Sequence, residues 1–246
     1  MRIIILAAGQ GTRLRPLTNN KPKCMVELKN KPLVQHQLDL FEKFNISDIN
    51  IVTGYLEEKI NFDNVEKFYN PKFNTTNMVS TLFCAKKLFD GTEDILISYG
   101  DIVYNNKVLQ SVKDSTAQIS VVVDKNWKEY WSARMDNPLR DAETLKIDQN
   151  GYIKELGKKP KSYDDIEGQY IGLIKIKKDV VTKIKDFYES LDKNLLYDGQ
   201  DYNNMYMTSF LQLVSENLIP LTPIYINNGW MEIDEPTDLE YTQFLK

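Results

Sequence analysis

With 246 residues, 42% hydrophobic and 27% charged, the chain has the composition of a globular domain with an ample core, which excludes disordered and low-complexity readings. A single histidine, His36, and two cysteines far apart, Cys24 and Cys84, argue against hydrolases that use a His base, His-rich zinc sites and a disulfide scaffold. The formal charge of −4 speaks against nucleic acid as a partner, yet residues 1–26 hold Arg2, Arg13, Arg15, Lys21 and Lys23 and no acid, so a basic start sits on an acidic remainder and suggests a local anion site.

Arg2–Ala7 is a short continuous apolar run that gives way to glycine, the pattern of a strand buried on both faces. Pro32 stands where a helix would begin, and Leu33, Leu38, Leu40, Phe41 and Phe44 follow at roughly helical spacing. Asp48–Thr53, Asp94–Ser98 and Gln118–Val123 read as further strands, with helices over 79–89 and 106–113 between them. This alternation predicts an α/β fold with a mostly parallel sheet. Residues 124–141 read as irregular. Thr144–Asp148, Tyr152–Leu156 and Tyr170–Ile176 then read as strands separated by turns, with Asn150-Gly151 a hairpin signal. Helices are expected at 178–190, 205–217 and 236–244. One domain over 1–246 is expected, with about 124–176 and 222–235 forming an inserted antiparallel lid or acceptor-binding part. No apolar run approaches the roughly 20 residues needed to span a bilayer. Ile3–Ala8 runs straight into Gly-Gln-Gly-Thr-Arg without cleavage context, so a cytoplasmic protein with no membrane partner is expected.

The loop after the first strand is the most informative segment. Gly9 and Gly11 let the backbone turn tightly and approach a ligand, and successive N–H groups in such a loop cradle phosphate oxygens. Arg13 and Lys23 supply positive charge. The dinucleotide fingerprint fails, because Leu14 stands where its third glycine belongs, and no GxxxxGK[ST] loop is present. A bare GxG reads as readily as an ordinary tight turn. The longer segment Leu6-Ala-Ala-Gly-Gln-Gly-Thr-Arg-Leu-Arg-Pro-Leu-Thr18, followed by Lys21-Pro-Lys23, is far more specific. It resembles the signature LAAGxGTRLxPLTxxxPK of the nucleotidyltransferases that activate sugar phosphates and phosphocholine.

That resemblance implies a Rossmann-like nucleotidyltransferase sandwich and an Mg2+-dependent reaction. It implies Lys23 at the α-phosphate, and Arg13 with Gly9 and Gly11 at the β- and γ-phosphates. Leu6, Ala8, Thr12, Tyr55, Asn77, Ser80 and Gly100 are expected around the nucleotide. Asp101, in Tyr99-Gly100-Asp101, and Asp234, in Ile233-Asp234, resemble the family's two metal carboxylates, although from the residues alone each reads equally as a turn or helix cap. A phosphate monoester ionises a second time at about pH 6, so the acceptor arrives anionic and needs no general base, which suits a chain with one histidine.

Trp127, Tyr130 and Trp131 stand beside Arg134, Arg140, Asp141 and Glu143, which suits either a pocket for a cationic head group or core aromatics on a lid. Glu167, Tyr170 and Trp230 fall where the family builds its acceptor pocket, so the expected acceptor set is Trp127, Trp131, Arg134, Glu167, Tyr170 and Trp230. The run from Trp131 to Lys146, with Glu155–Pro160, resembles a cytidylyltransferase group that takes phosphorylated amino acids. The resemblance thus implies CMP transfer from CTP to a small phosphorylated acceptor, phosphoglutamine ahead of phosphocholine, in capsule or surface-polysaccharide modification. Sugar-1-phosphate uridylyl- or thymidylyltransfer and a non-catalytic nucleotide sensor stand as alternatives. A homo-oligomer is left open.

Overall fold

The computed structural model describes residues 1–246. In chain order, β1 (Arg2–Ala7) is followed by a short hairpin of β2 (Glu27–Leu28) and β3 (Lys31–Pro32), and then by α1 (Leu33–Lys43). Next come β4 (Ile49–Thr53), β5 (Val65–Tyr69), α2 (Met78–Phe83), β6 (Ile95–Tyr99), β7 (Ile102–Tyr104), α3 (Asn106–Asp114) and β8 (Ile119–Asp124). The second half contributes α4 (Trp127–Arg134), β9 (Leu145–Ile147), β10 (Ile153–Leu156), β11 (Gln169–Ile176), α5 (Lys178–Ser190), α6 (Met207–Asn217), β12 (Thr222–Ile226) and β13 (Trp230–Glu232).

Seven strands form one sheet in the order β12-β8-β11-β6-β1-β4-β5, in which β11 alone runs antiparallel to its neighbours. Successive side chains of β1 point to opposite faces and feed two cores. Ile3 and Ile5 pack with Leu33, Val34 and Phe41 of α1, while Ile4 and Leu6 pack with Val79 and Leu82 of α2. Ile3, Ile4 and Ile5 are wholly withdrawn from water, and each such burial stabilises by roughly 1.5–3 kcal/mol. The continuous apolar run thus marks a central strand covered on both sides.

The strand and helix expectations hold to within a few residues for most elements, and four segments differ. The 79–89 helix stops at Phe83 and resumes as a 3-10 turn over Lys86–Leu88. Residues 236–244 form two 3-10 turns, Pro236–Glu240 and Thr242–Leu245, because Asp238 turns inward and its carboxylate takes the N–H groups of Asp234 and Glu235. The 124–141 stretch contains α4, whose Trp127, Tyr130 and Trp131, spaced as one helical face, are all buried. The strand at 169–176 belongs to the central sheet, leaving only the β9–β10 pair as a separate antiparallel element in that region. Six of its eight residues are buried in an unbroken run, which only a two-sided position in the sheet accommodates.

Two connections converge the chain on one edge of the sheet. The Gly100 N–H donates to the Leu6 carbonyl and the Tyr55 N–H to the Ala8 carbonyl, so the carboxyl ends of β6, β1 and β4 meet. β13 pairs antiparallel with β7, and the Ile233 N–H donates to the Asp101 carbonyl, which brings Asp234 beside the end of β6 from 133 residues away. Ligand sites of open α/β sheets lie at this edge.

Candidate active site

The loop leaving β1 is shaped by glycine. Gly11 has φ +62°, and a Cβ there would stand 2.9 Å from Lys23 Cβ. The Thr18 hydroxyl donates to the Gly11 carbonyl at 2.7 Å and closes the loop. A Cβ on Gly100 would lie 2.7 Å from the Leu6 carbonyl oxygen, so β1 and β6 approach this closely only because that position is bare. Pro22 then leads into a 3-10 turn over Lys23–Met25, which aims Lys23 across the sheet edge.

The Lys23 ammonium lies 2.5 Å from Asp101 Oδ2 and 2.5 Å from Asp234 Oδ1, and Arg13 reaches the same Asp234 oxygen at 2.9 Å. Burial disfavours the Lys23 charge, but Asp101, Asp234 and Glu232 outweigh it and hold the ammonium above the ordinary lysine value. Burial likewise works against ionised Asp234, and Lys23 with Arg13 overcomes it and keeps that carboxyl below its usual value. Glu232 differs: burial, with Asp234 and Asp101 nearby, pushes it well above the carboxylate range.

Asp101, Glu232 and Asp234 bring carboxylate oxygens within 4.8 Å of one another, and Asp101 Oδ1 is buried with no hydrogen-bond partner. An all-oxygen donor set with an orphaned carboxylate oxygen fits a hard divalent cation. Behind it, the buried Asp238 accepts from the Asp234 and Glu235 N–H groups at 2.8 Å each and receives Arg134 in a two-point pair at 2.9 and 3.0 Å. This pair fixes the backbone that carries Asp234.

A cavity of about 300 Å³ opens over this cluster, lined among others by Leu6, Ala8, Gly9, Gly11, Thr12, Arg13, Lys23, Asn77, Gly100, Asp101 and Asp234. A second, of about 220 Å³, shares Arg13, Asn77, Met78, Tyr99 and Asp234 with the first and extends to Trp131, Asp141, Glu143, Tyr170, Thr208 and Trp230. Two ligands, one in each cavity, would therefore lie next to one another at Arg13, Asn77 and Asp234, with Lys23 and Asp101 on the side of the first.

Of the residues expected around the nucleotide, Tyr55 and Ser80 line neither cavity. The Tyr55 hydroxyl donates to the Thr18 and Asn19 carbonyls, bracing the glycine loop from behind, and Ser80 donates to the Asn203 carbonyl. Of the expected acceptor set, Trp131, Tyr170 and Trp230 line the second cavity, whereas Trp127, Arg134 and Glu167 lie elsewhere. Trp127 is buried edge-on against Trp131, Arg134 is drawn to Asp238, and Glu167 accepts the Ile147 N–H. Sequence reasoning missed Glu232 and Asp238; Glu143 and Asp141, named there only beside a possible cationic pocket and not in the acceptor set, line the second cavity. Glu232 had a signal: on an extended segment it shares a face with Asp234 two residues on.

Glu143 is tightly placed. Its N–H donates to Gln169 Oε1 at 3.0 Å while Gln169 Nε2 donates to its carbonyl at 2.6 Å. Burial, reinforced by Asp141, pushes its carboxyl up to about 7. Asp141 accepts the Trp131 indole N–H at 3.0 Å, and the Tyr170 hydroxyl is buried without a partner.

Residues 3–156 match the family model described as the MobA-like NTP transferase domain. The chain is 46% identical to the CTP:phosphoglutamine cytidylyltransferase of Campylobacter jejuni, over 98% of each chain. It is 40% identical to the choline-phosphate cytidylyltransferase of Streptococcus pneumoniae, over 35% of this chain and 40% of that one. The solved CTP:phosphocholine cytidylyltransferase of the same organism superposes with a TM-score of 0.69 at 21% identity, covering all of this chain and 99% of that one, and so shares the fold.

Proposed function

The chain belongs to the MobA-like NTP transferase family and is a nucleotidyltransferase, and from that footing we propose that it transfers CMP from CTP to phosphoglutamine with release of pyrophosphate. The observation that carries the reading is the pair of cavities that meet at Arg13, Asn77 and Asp234, with Lys23 and Asp101 bound to this junction from the glycine-loop side. CTP occupies the glycine-loop side and the acceptor the side toward Trp131 and Tyr170, so that residues within 124–176 and 222–235 serve the acceptor. Likeness to the phosphoglutamine enzyme runs the length of both chains, whereas likeness to the choline-phosphate enzyme covers a third of this one, which favours phosphoglutamine as acceptor.

In the reaction, an oxygen of the acceptor's phosphoryl group forms a bond to the α-phosphorus, the bond from that phosphorus to the bridging oxygen breaks, and pyrophosphate leaves with the electron pair. The glycine-loop N–H groups and Arg13 hold the β- and γ-phosphates, and Lys23 donates to the charge developing at the α-phosphate. Asp101 and Asp234, with Glu232 beside them, would hold the divalent cation, for which Mg2+ is the proposed ion; when bound it neutralises phosphate charge. No residue need take a proton, since the acceptor is already ionised. No helix is long and apolar enough to cross a membrane; a cytoplasmic reaction, serving capsule or surface-polysaccharide modification, is part of the proposal.

Pyrophosphate release with CTP, UTP, dTTP and ATP against phosphoglutamine, phosphocholine, 2-aminoethylphosphonate and glucose 1-phosphate tests it. Turnover is expected with CTP and phosphoglutamine. Turnover confined to UTP or dTTP with the sugar phosphate would overturn the assignment.

A further inference from the structure

The charged side chains lining the second cavity are Arg13, Asp141, Glu143, Glu232 and Asp234. Arg13 is paired with Asp234 at the junction with the first cavity, and Glu232 lies 3.6 Å from Arg134. Asp141 and Glu143 line the second cavity only, and neither makes an ion pair. The cations that the sequence places near them are turned away: Arg134 is bound to Asp238, and Arg140 is exposed and outside the cavity wall. The same wall carries the Tyr170 hydroxyl, buried and unpartnered. Glu143, largely withdrawn from water and without a cation, stands beside the buried Tyr170 hydroxyl, and the exposed Asp141 extends the same acidic wall, an arrangement that a cationic ligand completes.

Resting on the acceptor reading above, we propose that Glu143 and Asp141, with the Tyr170 hydroxyl, bind a primary ammonium of the acceptor, and that no ion pair reads the acceptor's carboxylate. An ammonium presents three N–H donors, which matches two carboxylates and one hydroxyl oxygen. A quaternary ammonium presents none, so the site selects an amino-acid head group over choline by hydrogen bonding. Gln169, clamping the Glu143 backbone from both sides, is the positioning residue that keeps this carboxylate at the wall.

Three acceptors test this: phosphoglutamine bearing its phosphate on the side-chain amide, the decarboxylated analogue that keeps the ammonium, and the deaminated analogue that keeps the carboxylate. For the wild-type enzyme, kcat/KM is expected to stay within about 5-fold on decarboxylation and to fall by about 10- to 100-fold on deamination, the range of a charged hydrogen bond. Glu143→Gln is expected to lower kcat/KM for both ammonium-bearing acceptors through KM, without changing the deaminated analogue's value or the KM for CTP. Tyr170→Phe is expected to act the same way with a smaller loss. Equal losses on all three acceptors, or a deaminated analogue as good as the parent, would overturn the proposal. Should the wild-type enzyme refuse all three, the phosphoglutamine reading fails by itself. Phosphoethanolamine preferred over phosphocholine would then still support ammonium binding, and preference for phosphocholine or a sugar phosphate would sink it.

Discussion

The two cavities are built in opposite ways. The glycine-loop cavity, proposed for the nucleotide, draws half of its lining from one stretch, residues 6–24, joined by the 73–81 segment, the end of β6 and Asp234. The second cavity, proposed for the acceptor, draws most of its lining from α4, the 141–143 segment, β11, α6 and β13, which are spread across a hundred residues. A phosphate offers the same oxygens in every NTP, and a loop of N–H groups suits it regardless of what is transferred. An acceptor differs from enzyme to enzyme, so its recognition falls to replaceable side chains on a fixed frame.

The largest expected effect tests the charged cluster that binds Asp234 at the junction of the two. Lys23→Ala and Asp101→Ala should each lower turnover at least about 10²-fold, the scale of losing a preorganised charge contact. Near wild-type single-turnover rates with either variant would mean that the cavities do not share a reaction centre. Next, Asp238→Asn leaves both cavity walls in place but weakens the hold on the Asp234 backbone. Turnover is expected to fall about 10- to 100-fold, with weaker Mn2+ binding by calorimetry in the presence of CTP, as for the loss of an outer-sphere partner. An unchanged Mn2+ affinity would make Asp238 merely a fold residue.

The smallest effect separates the two sides by pH. Glu143, faced by Asp141, Tyr99 and Tyr170, is pushed up to about 7, so it gains a proton as pH falls through neutrality and loses its hold on a cation. Between pH 8 and 6 the acceptor KM should rise about 5- to 10-fold, as expected for a site left about one-tenth ionised one unit below its pKa. The acceptor's phosphoryl group also titrates in this range, so the diagnostic reading is the difference from Glu143→Gln, whose profile should be flatter. Identical profiles would break the distinction between the two sides.

This contrast also explains what the chain reveals when read as a string. The Gly9–Lys23 segment is legible because its chemistry is contiguous, and β1, β4, β6 and β8 are legible because two-sided burial demands unbroken apolar runs. Asp238 is not, since it matters through Arg134 far along the chain, and for Glu143 the acidic neighbourhood is legible but its clamping by Gln169 is not. Arg134 misleads for the same reason. Its neighbours in sequence suggest an acceptor contact, while its partner in space turns it toward the backbone of Asp234. The short β7–β13 pair, three residues on each strand, carries no periodicity, yet it is what brings Asp234 to Asp101.

For the proposed reaction, the lysine lodged between two aspartates implies an order of arrival. With its ammonium 2.5 Å from both carboxylates, Lys23 already compensates the charge that a divalent cation would otherwise neutralise. A cation coming alone has to displace an ammonium that has nowhere better to go. On the proposed reading, the phosphates of the nucleotide would offer the ammonium that alternative, so donor and metal would enter together in exchange for it.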